Sequence, residues 1–297
     1  MKLLISIKTM KIEEIDLKDW QQVVDTLMKD NFFQQPNWLN LVSSEFGLIN
    51  HYLKITINDS MLFLSIQIKN DLGYSNFIGY GGPATSTSLT IGLLTHLIAG
   101  IEDQYKIIIV RMKLFPVDVI TSPLQKNWKT EHASVLKIYP EWEQKIKKQT
   151  LYSIKYAIKN GVEVKQINKK DLVRFYEIYQ ENMDRVKSSY KTPESLFNQL
   201  FEFSNVNFIG AFINGNLEAV DVFLNQGERS SYWWGTSTLV GRKYNANYLI
   251  LFLTIKELQK TGIKVLDMAS SNNQGISNFK AQWNAELKPF LLYQSDY

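Results

Sequence analysis

Phe279 and Lys280 sit together in Gly275-Ile276-Ser277-Asn278-Phe279-Lys280, a stretch long enough for a one- or two-turn helix. Upstream, Ala246 to Thr261 reads as an apolar helix, stopped by Gly262. It leads into a short buried strand, Val265-Leu266-Asp267-Met268-Ala269, and a polar turn, Ser270-Ser271-Asn272-Asn273-Gln274. This layout sets a polar pocket at the end of a buried strand and points one lysine at it. The chemistry on offer is charge stabilisation by a fixed cation.

The rest of the composition narrows the choice. The chain has 297 residues, no cysteine and three histidines, His51, His96 and His132, none in a metal-ligand spacing. A cysteine nucleophile, a thiolate zinc site and a disulfide framework are excluded, and no metal is expected. A net charge of +4, spread along the chain, gives no case for DNA binding. Met1 to Met10 carries too short an apolar run for a signal peptide, and no run approaches a membrane span. A cytoplasmic protein without a transmembrane segment is expected.

The order of elements occurs twice. In the first half the pattern predicts a strand over Lys11–Ile15, a helix capped by Asp16 and a second opened by Pro36. Three strands follow, His51–Ile57, Met61–Ile68 and Phe77–Tyr80, then a helix over Leu89–Ile101 and a strand over Ile107–Val110. A short helix over Pro116–Leu124 and a strand over Ala133–Tyr139 close the half. A basic helix, Trp142 to Lys159, ends at Gly161. The second half predicts a strand over Val162–Ile167 and helices over Asp171–Met183 and Pro193–Phe203, the latter capped by Thr192. A hairpin over Phe208–Ile213 and Leu217–Leu224, a strand over Ser230–Gly235, the elements around Lys280, and a last strand over Lys288–Tyr293 follow. The expected domains are 1–140 and 162–297, joined by 141–161.

A three-strand meander followed by helix, strand, helix and strand resembles the GNAT acyltransferase fold. Its repetition implies an α/β protein of two tandem GNAT-like domains, each a mixed sheet flanked by helices, around a central cleft. That layout is similar to the Fem family, which adds amino acids to peptidoglycan precursors, and to Fem-like acetyltransferases of envelope-polysaccharide synthesis. Phe33-Gln34-Gln35-Pro36-Asn37-Trp38 fits the family's F-x-Q-x-x-W. Tyr80-Gly81-Gly82-Pro83 and Ala157-Ile158-Lys159-Asn160-Gly161-Val162 resemble two further family segments, and Phe279-Lys280 matches its F-K pair.

The resemblance implies roles. Lys280 would be catalytic, holding the oxyanion that develops on the attacked carbonyl; a solvated lysine beside a core Phe279 is the alternative. Arg185 and Tyr190 fall where the family contacts acceptor phosphate, although an ordinary cation at a helix end reads equally well. Phe279, Ser270, Tyr232 and Trp233 complete the expected acceptor side. Alternation puts Trp233 on the face opposite Tyr232 and Trp234, with core packing for all three as the alternative. On the donor side, Gly241-Arg242-Lys243-Tyr244-Asn245-Ala246-Asn247 stands where GNAT enzymes cradle pyrophosphate. It offers Arg242, Lys243, Asn245 and Asn247 but lacks the glycine pair. The family's phosphate-gripping lysine is replaced by Val42 and Ser43, and there is no room for a helical-hairpin insertion.

The resemblance thus implies an N-acyltransferase. An acceptor amine of an amino sugar or peptidoglycan peptide would attack the acyl carbon of acyl-CoA, acetyl-CoA for example, or aminoacyl-tRNA. Asp267, Glu218, Asp221 and Tyr232 are candidate bases. The basic helix offers a face for tRNA, or a solvated linker. The competing class is a catalytically degenerate tandem-GNAT protein kept for binding or scaffolding.

Overall fold

The computed structural model describes residues 10–58, 60–116, 125–270 and 274–297. The chain forms two compact units: one reaches to Glu131 and includes Pro289–Tyr297, and the other is His132–Lys288.

The first unit begins with β1 (Met10–Glu14), α1 (Leu17–Leu27), α2 (Pro36–Phe46), β2 (Ile49–Ile57) and β3 (Ser60–Lys69). It continues with β4 (Leu72–Ser75), α3 (Ile91–Tyr105) and β5 (Ile108–Lys113). Local chemistry sets the ends. Asp16 caps α1 by accepting from the Asp19 N–H at 2.8 Å, and Thr90 caps α3 by accepting from Leu93. Pro36 opens α2, and Gly47, at φ 65°, closes it. β1 to β4 pair antiparallel in sequence order, and β4 pairs β5 parallel.

The second unit takes up most of β6 (Trp128–Lys137), then α4 (Lys148–Lys159), β7 (Glu163–Gln166), α5 (Leu172–Arg185), α6 (Glu194–Leu200) and β8 (Val206–Ile213). β9 (Asn216–Gln226), β10 (Arg229–Ser237), α7 (Leu239–Lys243), α8 (Ala246–Lys260), β11 (Val265–Ser270) and α9 (Gln274–Ala281) follow. β7 to β10 are antiparallel neighbours and β10 pairs β11 parallel. β6 adds to β11, antiparallel, through Ala133 to Lys137. The final strand, β12 (Glu286–Gln294), pairs β5 through Leu292 to Gln294. Each half of the sequence thus donates its sixth strand to the sheet of the other half. For that reason the units change at 131/132 and 288/289, whereas the sequence pattern places its boundaries at 140 and 161.

Packing explains the helices of the second unit. α8 buries Leu249, Ile250, Leu251, Ile255 and Leu258 in a core with Phe223 of β9, Leu266 of β11 and Trp283. Shortening Ile250 there would cost about 2–5 kcal/mol. α4 joins the same core through Ile154 and Ala157. It is shorter than the predicted basic helix: Trp142–Lys145 form a separate 3-10 turn with Trp142 buried.

Other expectations shift. The third strand lies at Leu72–Ser75, not Phe77–Tyr80, because pairing with β5 picks the segment directly after the turn. Thr192 does not cap the helix before Phe203. Its N–H is held by the Tyr179 hydroxyl at 2.8 Å, and α6 starts at Glu194 after Pro193. The short helix expected over Pro116–Leu124 falls outside the described residues from 117 on, as do Met1 to Thr9 and the centre of the polar turn, 271–273. Among the described residues no helix is long and apolar enough to cross a membrane.

Candidate functional site

β10 and β11 create the setting. Their parallel register runs Arg229–Ser231 against Val265–Asp267 and stops there, although β10 continues to Ser237 and β11 to Ser270. β11 then bends. Its register against β6 shifts between Asp267 and Ser270, and Ala269 takes φ 60°, a left-handed conformation unusual for a residue with a Cβ.

Lys280 secures that bend. On α9, Phe279 turns toward α8, meeting the Tyr248 ring edge-to-face at 5.0 Å. The next residue is rotated about 100° around the helix. It sends its ammonium to the end of β11, donating to the Ala269 carbonyl at 3.1 Å and the Ser270 carbonyl at 2.6 Å. Lys280 is 5% exposed, so this is a buried cation. The structure thus brings Lys280 and Ser270 together, through the Ser270 main chain.

Asp267 is engaged from two sides. One oxygen accepts from Arg229 Nη2 at 2.9 Å and the other from the Ala269 N–H at 2.8 Å. The carboxylate is buried and Arg229 nearly so. With both oxygens engaged, Asp267 is a support for the bend. Glu218 accepts from the Thr238 hydroxyl at the start of α7.

Asp221 is different. It is fully buried on β9, where its Oδ1 accepts from the Tyr232 hydroxyl at 3.1 Å and from Asn247 Nδ2 at 2.7 Å. Oδ2 has no hydrogen-bond partner. Burial pushes the carboxyl up to about 8, against the smaller lowering effects of the Asn247 and Tyr232 hydrogen bonds. Burial, with the Asp221 carboxyl next to it, raises Tyr232 well above the usual phenol range. Gly235 is required beside them, since a Cβ there would lie 2.0 Å from the Tyr232 hydroxyl. The environment of Asp221 thus places its proton near neutrality.

The donor-side residues surround the start of α8. Asn245 takes φ 56° immediately before the helix and makes no side-chain cap. It supplies by itself the left-handed backbone that a glycine would otherwise provide. Asn247, in the first turn, reaches down to Asp221. Arg242 donates to the Ser237 carbonyl. Its pKa is lowered by partial burial and then by the charge of Arg185, so these two arginines are close enough to repel. Arg185 itself, at the end of α5, donates to Asn182 at 2.6 Å. Lys243 lies over the Tyr244 ring at 5.4 Å. Tyr190 is exposed and its main chain is bound to the Ser188 hydroxyl.

A bulge overturns the expected alternation of aromatic residues on β10. The register with β9 slips between Tyr232 and Trp234. Tyr232 stacks on Phe223 at 5.3 Å on the α8 side. Trp233 and Trp234 both meet aromatics of α5 and α6, Phe197 at 5.8 Å and Tyr179 at 5.3 Å. Alternation in the sequence carries no mark of the inserted residue.

The first unit holds a cavity of about 620 Å³ that the sequence pattern does not reveal. Its wall combines the end of α1 and the residues after it, Thr26 to Asn31, with the Gly81–Leu89 loop, Leu114, Phe115 and Pro289 to Leu291. The F-x-Q-x-x-W segment is structural here: Trp38 packs on Phe32 and Phe33 and donates to the Ile78 carbonyl. Val42 and Ser43, where the family has a phosphate-gripping lysine, are buried, with Ser43 bonded to Gln67 and Asn50.

The FemAB family model matches residues 113–209 of the 297. No curated protein matches the chain in sequence. Solved structures match over nearly the whole length. FemX aligns at TM-score 0.69 and 12% identity, covering 95% of this chain and 96% of FemX. L-PGS from Bacillus licheniformis aligns at 0.57 and 10%, covering 96% and 94%. A tandem GNAT protein from the clavulanic acid biosynthesis pathway aligns at 0.57 and 10%, covering 96% and 98%. The chain thus matches the FemAB family over that segment and, over nearly its whole length, has the fold shared by FemX and the tandem GNAT protein.

Proposed function

We propose that the protein is an N-acyltransferase of cell-envelope synthesis. It moves an acyl or aminoacyl group from acyl-CoA or aminoacyl-tRNA to the amine of an envelope precursor. The observation that carries this reading is the buried Lys280 ammonium, fixed at the bent end of β11 beside the point where β10 and β11 part. The amine nitrogen attacks the acyl carbonyl carbon, the carbonyl oxygen gains negative charge, and the donor's thiolate or ribose oxygen leaves with the bonding pair. Lys280 stabilises the oxyanion as it forms. The amine proton passes to a base for which Asp221 has the best-placed affinity, directly or through water. Asn245 shapes the start of α8 for a donor phosphate, with Arg242 and Arg185 as the local cations. Both donors place the reaction in the cytoplasm. The FemAB match and the likeness to a putative lysylphosphatidylglycerol synthetase domain from Agrobacterium fabrum support an aminoacyl donor; the tandem GNAT protein of the clavulanic acid pathway, solved without AcCoA, supports acyl-CoA.

Thermal shift with acetyl-CoA, coenzyme A and aminoacyl-tRNA in parallel tests this reading, since saturation at ~100 times Kd adds roughly 2.7 kcal/mol. Absence of any shift with all three would end it. One observation favours a second reading, a degenerate binding protein: Lys280 already serves two main-chain carbonyls. Turnover lost in Lys280→Met with the fold retained would exclude that second reading.

A further inference from the structure

α4 has two faces of opposite character. Thr150, Ser153, Ile154 and Ala157 are buried, the last two in the core of the second unit. Lys148, Tyr152, Lys155, Tyr156 and Lys159 follow the helical spacing i, i+4, i+7, i+8 and i+11, and so form one stripe along the other face. The helix contains no acidic residue. Exposed lysines elsewhere in this unit are neutralised, Lys169 by Glu202, Lys260 by Glu257 and Lys264 by Glu228. Among the described residues, Lys148, Lys155 and Lys159 have no such carboxylate partner.

The tyrosines of the stripe continue beyond the helix. Tyr152 stacks on Tyr156 at 6.5 Å with the planes 26° apart, and Tyr156 on Tyr244 at 6.5 Å and 20°. Tyr244 follows α7, and the Lys243 ammonium lies over its ring. Three nearly parallel rings from two separate segments thus stand in a row. Core packing does not account for it, since Tyr152 is 63% exposed and Tyr156 and Tyr244 are only half-buried. The row ends at the residue before Asn245, where α8 begins.

Resting on the acyltransferase reading, we propose that this face binds the single-stranded 3′ end of an aminoacyl-tRNA. Bases stack on Tyr152, Tyr156 and Tyr244, and phosphates meet Lys148, Lys155 and Lys159. Rings in a row with cations beside them suit a single strand, because every base has a π-face and the backbone is a line of negative charge. The length of the row selects this occupant over coenzyme A, which has one adenine for three rings. A duplex keeps the faces of its bases stacked inside and has none to offer. The strand carries its acylated end past Tyr244 toward the start of α8.

The test is fluorescence anisotropy of the full chain with a short labelled RNA ending in CCA, single-stranded or annealed to its complement. The single strand should bind and the duplex should bind more weakly. Tyr152→Ala should weaken single-strand binding about five- to a hundredfold, the range for loss of one stacked base, and Tyr152→Phe should restore it. Lys155→Ala should lower the slope of log affinity against log salt by about 0.7, as for loss of one phosphate contact. Both side chains are exposed, so the fold should be kept, and thermal unfolding of each variant checks this. No binding to the folded protein, equal binding of the duplex, or unchanged affinity in Tyr152→Ala overturns the assignment. Acyl transfer from acetyl-CoA without RNA binding removes this surface and leaves the acyltransferase reading standing. Tyr152-dependent RNA binding by a protein that transfers nothing from acetyl-CoA or aminoacyl-tRNA to envelope-precursor amines sustains the surface and removes acyl transfer.

Discussion

β4 and β5 run parallel in the first unit as β10 and β11 do in the second, and the two pairs are completed in opposite ways. In the first unit the chain folds back after Ser75. The Gly81 N–H donates to the Lys113 carbonyl at 2.6 Å, the Gly82 N–H to the Ser75 hydroxyl, and Asn76 to the Phe33 and Tyr80 carbonyls. A Cβ at Gly81 would lie 1.7 Å from the Ser75 carbonyl oxygen, so the fold-back is tight. Main chain and neutral side chains satisfy the main chain here, and the cavity nearby is walled mostly by hydroxyls and apolar groups, with Lys29 and Asp30. In the second unit the strands part without such a return. The groups fixed at that end are charged: Arg229 and Asp267 as a pair, and Lys280 on the Ala269 and Ser270 carbonyls. One fold closes its parallel pair with neutral groups in one unit and with fixed charges in the other, and the difference arises where the chain leaves the pair.

The largest expected effect comes from removing a charge that the second unit depends on. Arg229→Met would leave the Asp267 carboxylate buried without its cation and should destabilise by about 3–5 kcal/mol. Denaturant unfolding measures this. A loss under 1 kcal/mol would mean that the pair is dispensable and the contrast between the units is superficial.

Lys280→Met tests the site itself. It keeps an unbranched side chain one atom shorter and removes the ammonium. Turnover should fall about 10²- to 10³-fold, as for loss of one oxyanion donor. Stability should fall by about 1–3 kcal/mol, because the Ala269 and Ser270 carbonyls lose a donor. A stability loss with turnover intact would make Lys280 a strut alone.

Asp221→Asn should act in the opposite direction. The folded-state value is raised to about 8 from 3.8, so the folded protein favours the protonated form and is penalised as pH rises from about 4 toward 8. Asn keeps an acceptor for Tyr232 and Asn247 without a charge. Tyr232 stays protonated throughout this window because its own value is pushed well above 10. After allowance for burying the new amide, stability at pH 7 should rise on the order of 2 kcal/mol. The gain should vanish below pH 4, where both states bind the proton. Unfolding curves at pH 4 and pH 7 decide. If turnover also falls, the cost of keeping this acid is tied to its use.

How much of this was legible depends on the range of the interactions. The apolar run Ala246–Lys260, the strand after Gly262 and the Phe279-Lys280 pair are local patterns, and all three stand as read. Asp16, Pro36 and Gly47 mark helix ends by chemistry within a turn. The strand at Leu72–Ser75 was missed because its partner β5 lies some 35 residues on and outweighs the β-like run Phe77–Tyr80. Arg229 had no sequence signal, since its role exists only across the β10–β11 pair. The cavity assembles segments from both ends of the chain, which no window contains.

The smallest effect concerns the bend. Ala269 sits at φ 60°, where a Cβ costs about 1 kcal/mol and glycine costs nothing in the fold but more chain entropy on folding. These terms nearly cancel, so Ala269→Gly should change stability by less than ~0.5 kcal/mol. Ala269→Val should destabilise by more than ~1 kcal/mol, because a β-branched residue resists this conformation. Equal effects of Gly and Val would mean that the left-handed turn does not persist in solution. Lys280 would then have no fixed pair of carbonyls to hold it, and the charged strand end would lose the feature that sets it apart from the neutral one. A neutral Gly with a damaging Val shows the opposite: the bend is imposed by Lys280 and Asp267, which hold the main chain of residues 269 and 270 from either side.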